Sequence, residues 1–147
     1  MGLGGSTRAG DAGQLGAPER DKVLNVDIRA FGGDRRFLLE NFLDRAHTII
    51  LGDARSYVLV RQGRRAAQIG PLVASSDSEG RELLEMALVS VSSPVILDVL
   101  DAGAGLHPVL TKHGFEPFRT FERMVLDRAD LPGIPSSVMV AAGPEFG

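Results

Sequence analysis

The fold is decided by residues 66–126, which begin AAQIGPLVA at 66–74 and continue SSDSEGRELLEMALVSV at 75–91. Ala66–Ala74 is an apolar, β-prone run that predicts a strand. Ser76 and Glu79 have the spacing of a helix capping box. The helix that they open shows an apolar stripe along one face, formed by Leu83, Leu84, Ala87, Leu88 and Val91. A strand followed at once by an amphipathic helix is the first half of a crossover between parallel strands.

The rest of this stretch completes the crossover. Val95–Leu100 is an apolar run interrupted by Asp98, which predicts a strand covered on both faces. Asp101–Gly105 is expected to be a loop, and Leu106–His113 a short helix that stops at Gly114. Phe118–Leu126 predicts a last strand. Successive units of this kind favour right-handed crossovers and a partly parallel sheet.

The residues before this stretch predict a helix and a hairpin. Asp34 can cap a helix that runs to Ala46, and Thr48–Leu51 is a short β-prone run. Tyr57–Val60 predicts a strand, which a turn at Gln62 and Gly63 joins to the strand of residues 66–74 in an antiparallel hairpin. The fold class is therefore α/β (α+β), a mixed sheet with helices on both faces. The last twenty residues contain several prolines and glycines and are expected to wrap the surface.

Composition limits the classes of function. The 147 residues suffice for one domain, and 44% of them are hydrophobic, which is enough for a core. A net charge of −3 gives no electrostatic footprint for nucleic acid. Cysteine is absent, the three histidines are scattered, and no apolar run is long enough for a bilayer, so we expect no metal site and no membrane partner. The cations are nearly all arginine, which is typical of a GC-rich bacterial genome, and the cytoplasm is the expected compartment.

The domain organisation follows from the distribution of glycine. Residues 1–21 are Gly-rich and polar, so we expect a flexible tail or the remnant of a linker. Residues 22–147 form the predicted domain.

Several short motifs together resemble a known family. They are DIRAFGGDR at 27–35, IGPLVA at 69–74, GF at 114–115, FERM at 121–124 and AGPEFG at 142–147. In this order and spacing they resemble the C-terminal domain of two-domain bacterial proteins of the GCN5-related N-acetyltransferase (GNAT) superfamily. The resemblance covers residues 23–147, and it implies an upstream acetyltransferase domain as a partner.

The resemblance also implies a place for acetyl-CoA. In the family a central strand splays from its neighbour, and the cofactor lies in the V-shaped gap. Its pantetheine arm would pair with the strand edge at Leu72, Val73 and Ala74. Its diphosphate would bind the first amides of the next helix, near Gly80 and Arg81, because a helix N-terminus offers unpaired N–H groups and a positive dipole end.

Two positions depart from the family pattern. The usual Arg-x-x-Gly-x-Gly loop before this helix is replaced by ASSDSEGR at 74–81, which puts the carboxylates of Asp77 and Glu79 where the diphosphate would lie. We favour a capping role for these two residues. The tyrosine that protonates the coenzyme A thiolate in many members is replaced by Leu110, while Tyr57 is expected to be a core or rim residue.

Asp98 is the candidate catalytic residue. A carboxylate facing a cleft could hold an amine or accept its proton. A buried Asp also needs partners, so a structural hydrogen bond is the alternative role.

Two functions are favoured by these residues, and a plain dimerisation domain is a third that they leave open. The first is acetyl transfer from acetyl-CoA to a small-molecule primary amine, with this chain as the C-terminal half of a tandem GNAT protein. The alternative is a non-catalytic GNAT-like module that binds substrate or regulates and that partners a catalytic acetyltransferase domain.

Overall fold

The computed structural model describes residues 10–11, 17–45, 47–53, 55–92, 94–117 and 133–143. Its helices are α1 (Ala17–Phe31), α2 (Arg36–Leu43), α3 (Asp77–Val89) and α4 (His107–Lys112), with 3₁₀ helices at Asp101–Leu106 and Pro135–Ser137. Its strands are β1 (Gly10–Asp11), β2 (Ile49–Gly52), β3 (Tyr57–Arg61), β4 (Ala67–Val73), β5 (Val95–Ile96) and β6 (Val138–Val140).

The sheet is mixed and centred on β4. Strands β1, β2, β3 and β4 follow one another in antiparallel order, and the predicted hairpin of β3 and β4 is confirmed. The other edge of β4 pairs with two strands: β5 runs parallel to its beginning, and β6 runs antiparallel to its end. The predicted parallel crossover through α3 is therefore present.

Helices cover both faces of this sheet, as predicted. On one face, α1 and α2 pack on sheet residues such as Tyr57, Leu59 and Val73. On the other face, α3 and α4 pack on residues such as Val58, Val60 and Leu72. Alternate residues of β3 thus enter opposite cores, which is why all five of its residues are buried.

The first helix lies partly inside the segment predicted to be a tail. Helix α1 begins at Ala17, and β1 pairs with β2 at Gly10 and Asp11, so regular structure begins before residue 22. Charged residues interrupt the apolar pattern of α1, and its buried stripe includes the carboxylate of Asp27. This buried charge weakens the periodic signal from which a helix is recognised.

Most of the predicted helix boundaries hold within a few residues. Ser76 is the N-cap of α3, and its hydroxyl accepts the N–H of Glu79 at 3.2 Å. Gly114 ends α4 with φ of 78°, and the N–H of Phe115 bonds to the carbonyl of Leu110, which is a Schellman stop. Helix α2 is shorter than predicted at both ends, although the Asp34 carboxylate does accept the N–H of Arg36 at 2.9 Å.

Three predictions about the second half were wrong. Within Val95–Leu100 only Val95–Ile96 forms a strand, with an isolated bridge at Val99. Asp101–Gly105 belongs to a 3₁₀ helix rather than a loop. The expectation that the last twenty residues wrap the surface fails at Val138–Val140, which is a fully buried strand in the sheet. The predicted strand Phe118–Leu126 lies outside the described residues.

Candidate functional site

Strand β4 and the segment that follows β5 diverge, and we call this divergence the fork. Their parallel pairing is limited to Ala67 with Val95 and Gln68 with Ile96. Beyond these pairs the two segments separate, as the family resemblance implies. The fork therefore lies beside the second half of β4, at the residues predicted to bind acetyl-CoA.

Strand β6 occupies the fork. On one side it pairs with β4, Leu72 opposite Val140 and Val73 opposite Val138. On the other side it meets the segment after β5, through the bridge between Val99 and Val140.

Three further backbone hydrogen bonds hold residues 137–142, which we call the β6 segment, in place. The N–H of Ala74 donates to Ser137 O, that of Leu100 to Met139 O, and that of Ala141 to Asp98 O, each at 2.9 Å. The edge of β4 at Leu72, Val73 and Ala74 is thus engaged by the chain's own backbone.

The N-terminus of α3 carries a carboxylate in a built network. One oxygen of Glu79 accepts the hydroxyls of Ser75 at 2.6 Å and Ser56 at 2.7 Å, and the N–H of Ser75 at 3.2 Å. These hydrogen bonds, that of Ser75 first and that of Ser56 second, lower the pKa of Glu79. The negative charge of this carboxylate is also stabilised by the positive end of the α3 dipole. The predicted capping role of Glu79 is present, with its carboxylate reaching Ser75 rather than the N-cap residue.

Gly80 and Arg81, the other predicted cofactor residues, have contacts within the protein. A Cβ at Gly80 would lie less than 3.0 Å from the side chain of Met139, so this glycine leaves room for β6. The guanidinium of Arg81 donates to the carbonyl of Gly105 at 3.4 Å.

Asp98 lies on the far side of the fork from β4. Its side chain is half-buried, and its carboxylate accepts the amide of Gln68 at 3.3 Å. Its backbone carbonyl accepts the N–H of Ala141. The residue is therefore tied to β4 and to the β6 segment at once. Its catalytic role stays a prediction.

A buried polar triad, which the sequence reasoning missed, joins α1, the α1–α2 corner and β3. Arg35 donates to both oxygens of Asp27 at 2.8 Å, and the hydroxyl of Tyr57 donates to the same carboxylate at 2.5 Å. Burial, followed by the charge of Asp27, raises the pKa of Tyr57 well above its usual value, so the phenol stays protonated. Burial alone would lower the pKa of Arg35, but the hydrogen bond and charge of Asp27 raise it. The triad fixes the α1–α2 corner to the sheet.

The other residues considered from the sequence, Leu110 and His113, make contacts that stabilise the fold. Leu110, at the position of the family's tyrosine, is buried in the core under α3 and α4. The ring of His113 bonds to the Glu85 carboxylate at 2.8 Å, and this contact links α3 and α4. Within the described ranges, no three His, Cys, Asp or Glu side chains group closely enough to hold a metal ion. No helix in that part of the chain has the length and apolar character needed to cross a membrane.

Comparison with known proteins assigns the family. The family model described as an acetyltransferase (GNAT) domain matches residues 23–138. The match covers most of the chain, which therefore belongs to the GNAT acetyltransferase family. Searches of curated proteins and of solved structures gave no significant match.

Membership of the GNAT family implies that a domain binds acetyl-CoA. The geometry of the fork tests whether its residues fit that cofactor. The pantetheine arm needs an exposed edge on β4, but that edge pairs with β6 at Leu72 and Val73. The diphosphate needs the amides and dipole at the start of α3, where the carboxylate of Glu79 already lies. In this conformation the residues of the fork do not fit the cofactor at either end.

Proposed function

We propose that this chain is a non-catalytic GNAT module of an amine-acetylating system. It partners a catalytic acetyltransferase domain, and that domain binds the acetyl-CoA. The pairing of β6 with β4 at Leu72 and Val73 carries this proposal. The acceptor would be a small-molecule primary amine, and the expected partner is an upstream acetyltransferase domain. The cytoplasmic location stays a prediction from the sequence.

The cost of opening the fork supports this proposal. Three backbone hydrogen bonds hold the β6 segment beyond its ladder with β4. At about 1 kcal/mol each they contribute about 3 kcal/mol. A ligand that had to displace β6 would therefore lose roughly 100-fold in apparent affinity from these bonds alone.

The charge at the start of α3 supports it as well. A diphosphate placed there would face the carboxylate of Glu79, whose hydrogen bonds with Ser56 and Ser75 favour the ionised form. Like charges at contact distance oppose binding.

A second candidate is acetyl transfer by this domain itself. Two observations favour it: the strands do part beyond Gln68 and Ile96, and the carboxylate of Asp98 lies within hydrogen-bonding reach of Gln68 across this opening. In that function Asp98 would hold an amine or accept its proton, and the edge at 72–74 would bind the cofactor after β6 had left.

Titration of the full chain with acetyl-CoA separates the two functions. Up to about 1 mM acetyl-CoA, which corresponds to a binding free energy near −4 kcal/mol, we expect no saturable heat and no rise in melting temperature. Saturable binding below that concentration would overturn the non-catalytic proposal, whether or not the β6 amides lose protection.

Activity assays extend this test. A panel of primary amines should stay unacetylated by this chain alone at millimolar acetyl-CoA. If acetylation does occur and is lost in Asp98→Asn but kept in the exposed control Asp101→Asn, the second candidate is correct. The partner is tested by co-expression with a catalytic GNAT domain. A complex that persists through gel filtration at micromolar concentration supports the first proposal, and separate elution contradicts it.

A further inference from the structure

Three glycines from three different elements surround the β6 segment. They are Gly70 of β4, Gly80 of α3 and Gly103 of the 3₁₀ helix. A Cβ at each would lie less than 3.0 Å from an atom of that segment: Ala141 O, the sulfur of Met139, and Met139 O respectively. Such separations are not found for real Cβ atoms, so each position leaves space that β6 fills.

Glycine at two of these positions needs a physical reason, because the local backbone would accept or favour a residue with a side chain. Gly80 lies in the first turn of α3, where alanine is the better helix former. Gly103 has no positive φ, so its backbone does not itself require glycine. The close approach of β6 gives a physical reason for glycine at both positions.

The end of β6 is anchored from the other face of the sheet. The guanidinium of Arg61 donates to the carbonyl of Ala142 and stacks on the ring of Phe42 at 3.9 Å. Arg61 is buried, and Ala142 is completely inaccessible to solvent. The β6 segment is thus held by β4, by α3, by the 3₁₀ helix and, through Arg61, by the core between the sheet and α2.

We infer that the fork of this domain is a strand-binding site, which β6 occupies as a fixed part of the fold. Gly70, Gly80 and Gly103 determine its specificity, because they admit an extended backbone with a methionine at position 139. The inference goes beyond the proposed function, since it names the ligand of the fork as a β-strand. It follows that β6 does not act as a gate and opens only when the core unfolds.

Amide hydrogen exchange on the full chain tests this directly. The bonded amides of Ala74, Leu100 and Ala141 should exchange within about tenfold of the slowest amides of β3, as members of one cooperative unit do. Exchange at these amides more than about 100-fold faster than in β3 would show local opening and overturn the inference.

A pair of glycine variants tests how closely the β6 segment fits in the fork. Gly103→Ala puts a methyl group against Met139 O and Val99, so we expect a lower melting temperature and faster exchange at Ala141. Gly33→Ala is the control, because its nearest neighbour is the Phe31 ring at 3.7 Å. Equal stability of the two variants would contradict the inference. If Gly103→Ala does not fold, the exchange pattern of the wild-type protein decides.

The two proposals fail in different ways. Acetyl-CoA binding with fully protected β6 amides would refute the non-catalytic function and leave the strand site intact. Fast exchange of β6 without acetyl-CoA binding would refute the fixed strand and leave the non-catalytic function intact.

Discussion

The contact between Gly80 and Met139 gives the sharpest energetic test of the β6 position. Gly80→Ala should favour α3 by about 1 kcal/mol through helix propensity. Its new Cβ, however, would overlap the side chain of Met139, which is 2% exposed, and would approach Leu106 at 3.3 Å. Overpacking of this kind costs about 1–3 kcal/mol. We therefore expect the single variant to lower the free energy of unfolding by about 1 kcal/mol.

A second substitution reverses this effect. Met139→Ala alone should cost about 2–5 kcal/mol, as a buried methionine truncation does. In that background the new methyl group at Gly80 meets no sulfur, so Gly80→Ala should stabilise by up to about 1 kcal/mol. The coupling energy between the two substitutions should then be about 2 kcal/mol.

Urea denaturation of the four proteins measures this cycle. Ser78→Ala, an exposed change in the same first turn of α3, is the control and should have the same effect in both backgrounds. A coupling below about 0.5 kcal/mol between Gly80→Ala and Met139→Ala would refute the contact, because independent sites are additive within that limit.

Four further variants test other parts of the structure by denaturant unfolding. Asp27→Asn leaves the buried Arg35 without its counter-charge and should cost about 3–5 kcal/mol, whereas Tyr57→Phe, which removes one hydrogen bond to a carboxylate, should cost about 1.5–3 kcal/mol. Glu79→Gln should cost about 1 kcal/mol at pH 7, because it removes a negative charge from the helix N-terminus and weakens the hydrogen bonds from Ser56 and Ser75. Gly114→Ala should cost about 1 kcal/mol, because φ is 78° there.

The pH dependence of the Glu79 variant has a defined sign. The hydrogen bonds from Ser75 and Ser56 lower the pKa of Glu79 in the folded state, so its contribution is complete above the unfolded value of about 4.3. The contribution is lost as the pH falls through the lowered pKa. The stability difference between wild type and Glu79→Gln should therefore shrink at acidic pH. A difference that is constant from pH 7 to about pH 3 would contradict this role.

Each of these variants has a control. Glu82→Gln is exposed on the same helix and should change stability by less than about 0.5 kcal/mol. For the triad, equal costs of Asp27→Asn and Tyr57→Phe would contradict a charge pair in which Arg35 depends on Asp27. Gly33→Ala is the control for Gly114→Ala, since Gly33 has no positive φ and its substitution carries no backbone strain of that kind.

The sequence predicted those parts of the fold that depend on local signals. The hairpin of β3 and β4, the Ser76 cap and the Gly114 stop each follow from residues close together in the chain. The fold class and the family followed from the order of these elements and from short motifs.

The sequence did not predict what depends on distant contacts. Val138–Val140 is three residues long and lies among prolines and glycines, so its pattern is too short to indicate a strand. Its partner in β4 is more than sixty residues away in the chain. The triad was missed for a related reason: Asp27 and Arg35 lie on opposite sides of the α1–α2 corner, where helical spacing gives no information.

An engineered disulfide tests most directly whether β6 pairs with β4 in the fork. The protein contains no cysteine, so Val73→Cys combined with Val138→Cys introduces a single possible pair at positions that are cross-strand partners. Antiparallel partners lie about 4.5–5.5 Å apart between Cα atoms, within the range that a disulfide spans. Mass spectrometry after mild oxidation should show an intramolecular disulfide in nearly all molecules, in the presence of acetyl-CoA as well as in its absence. Two thiols that stay free and react with maleimide in the folded protein would contradict the pairing of these strands.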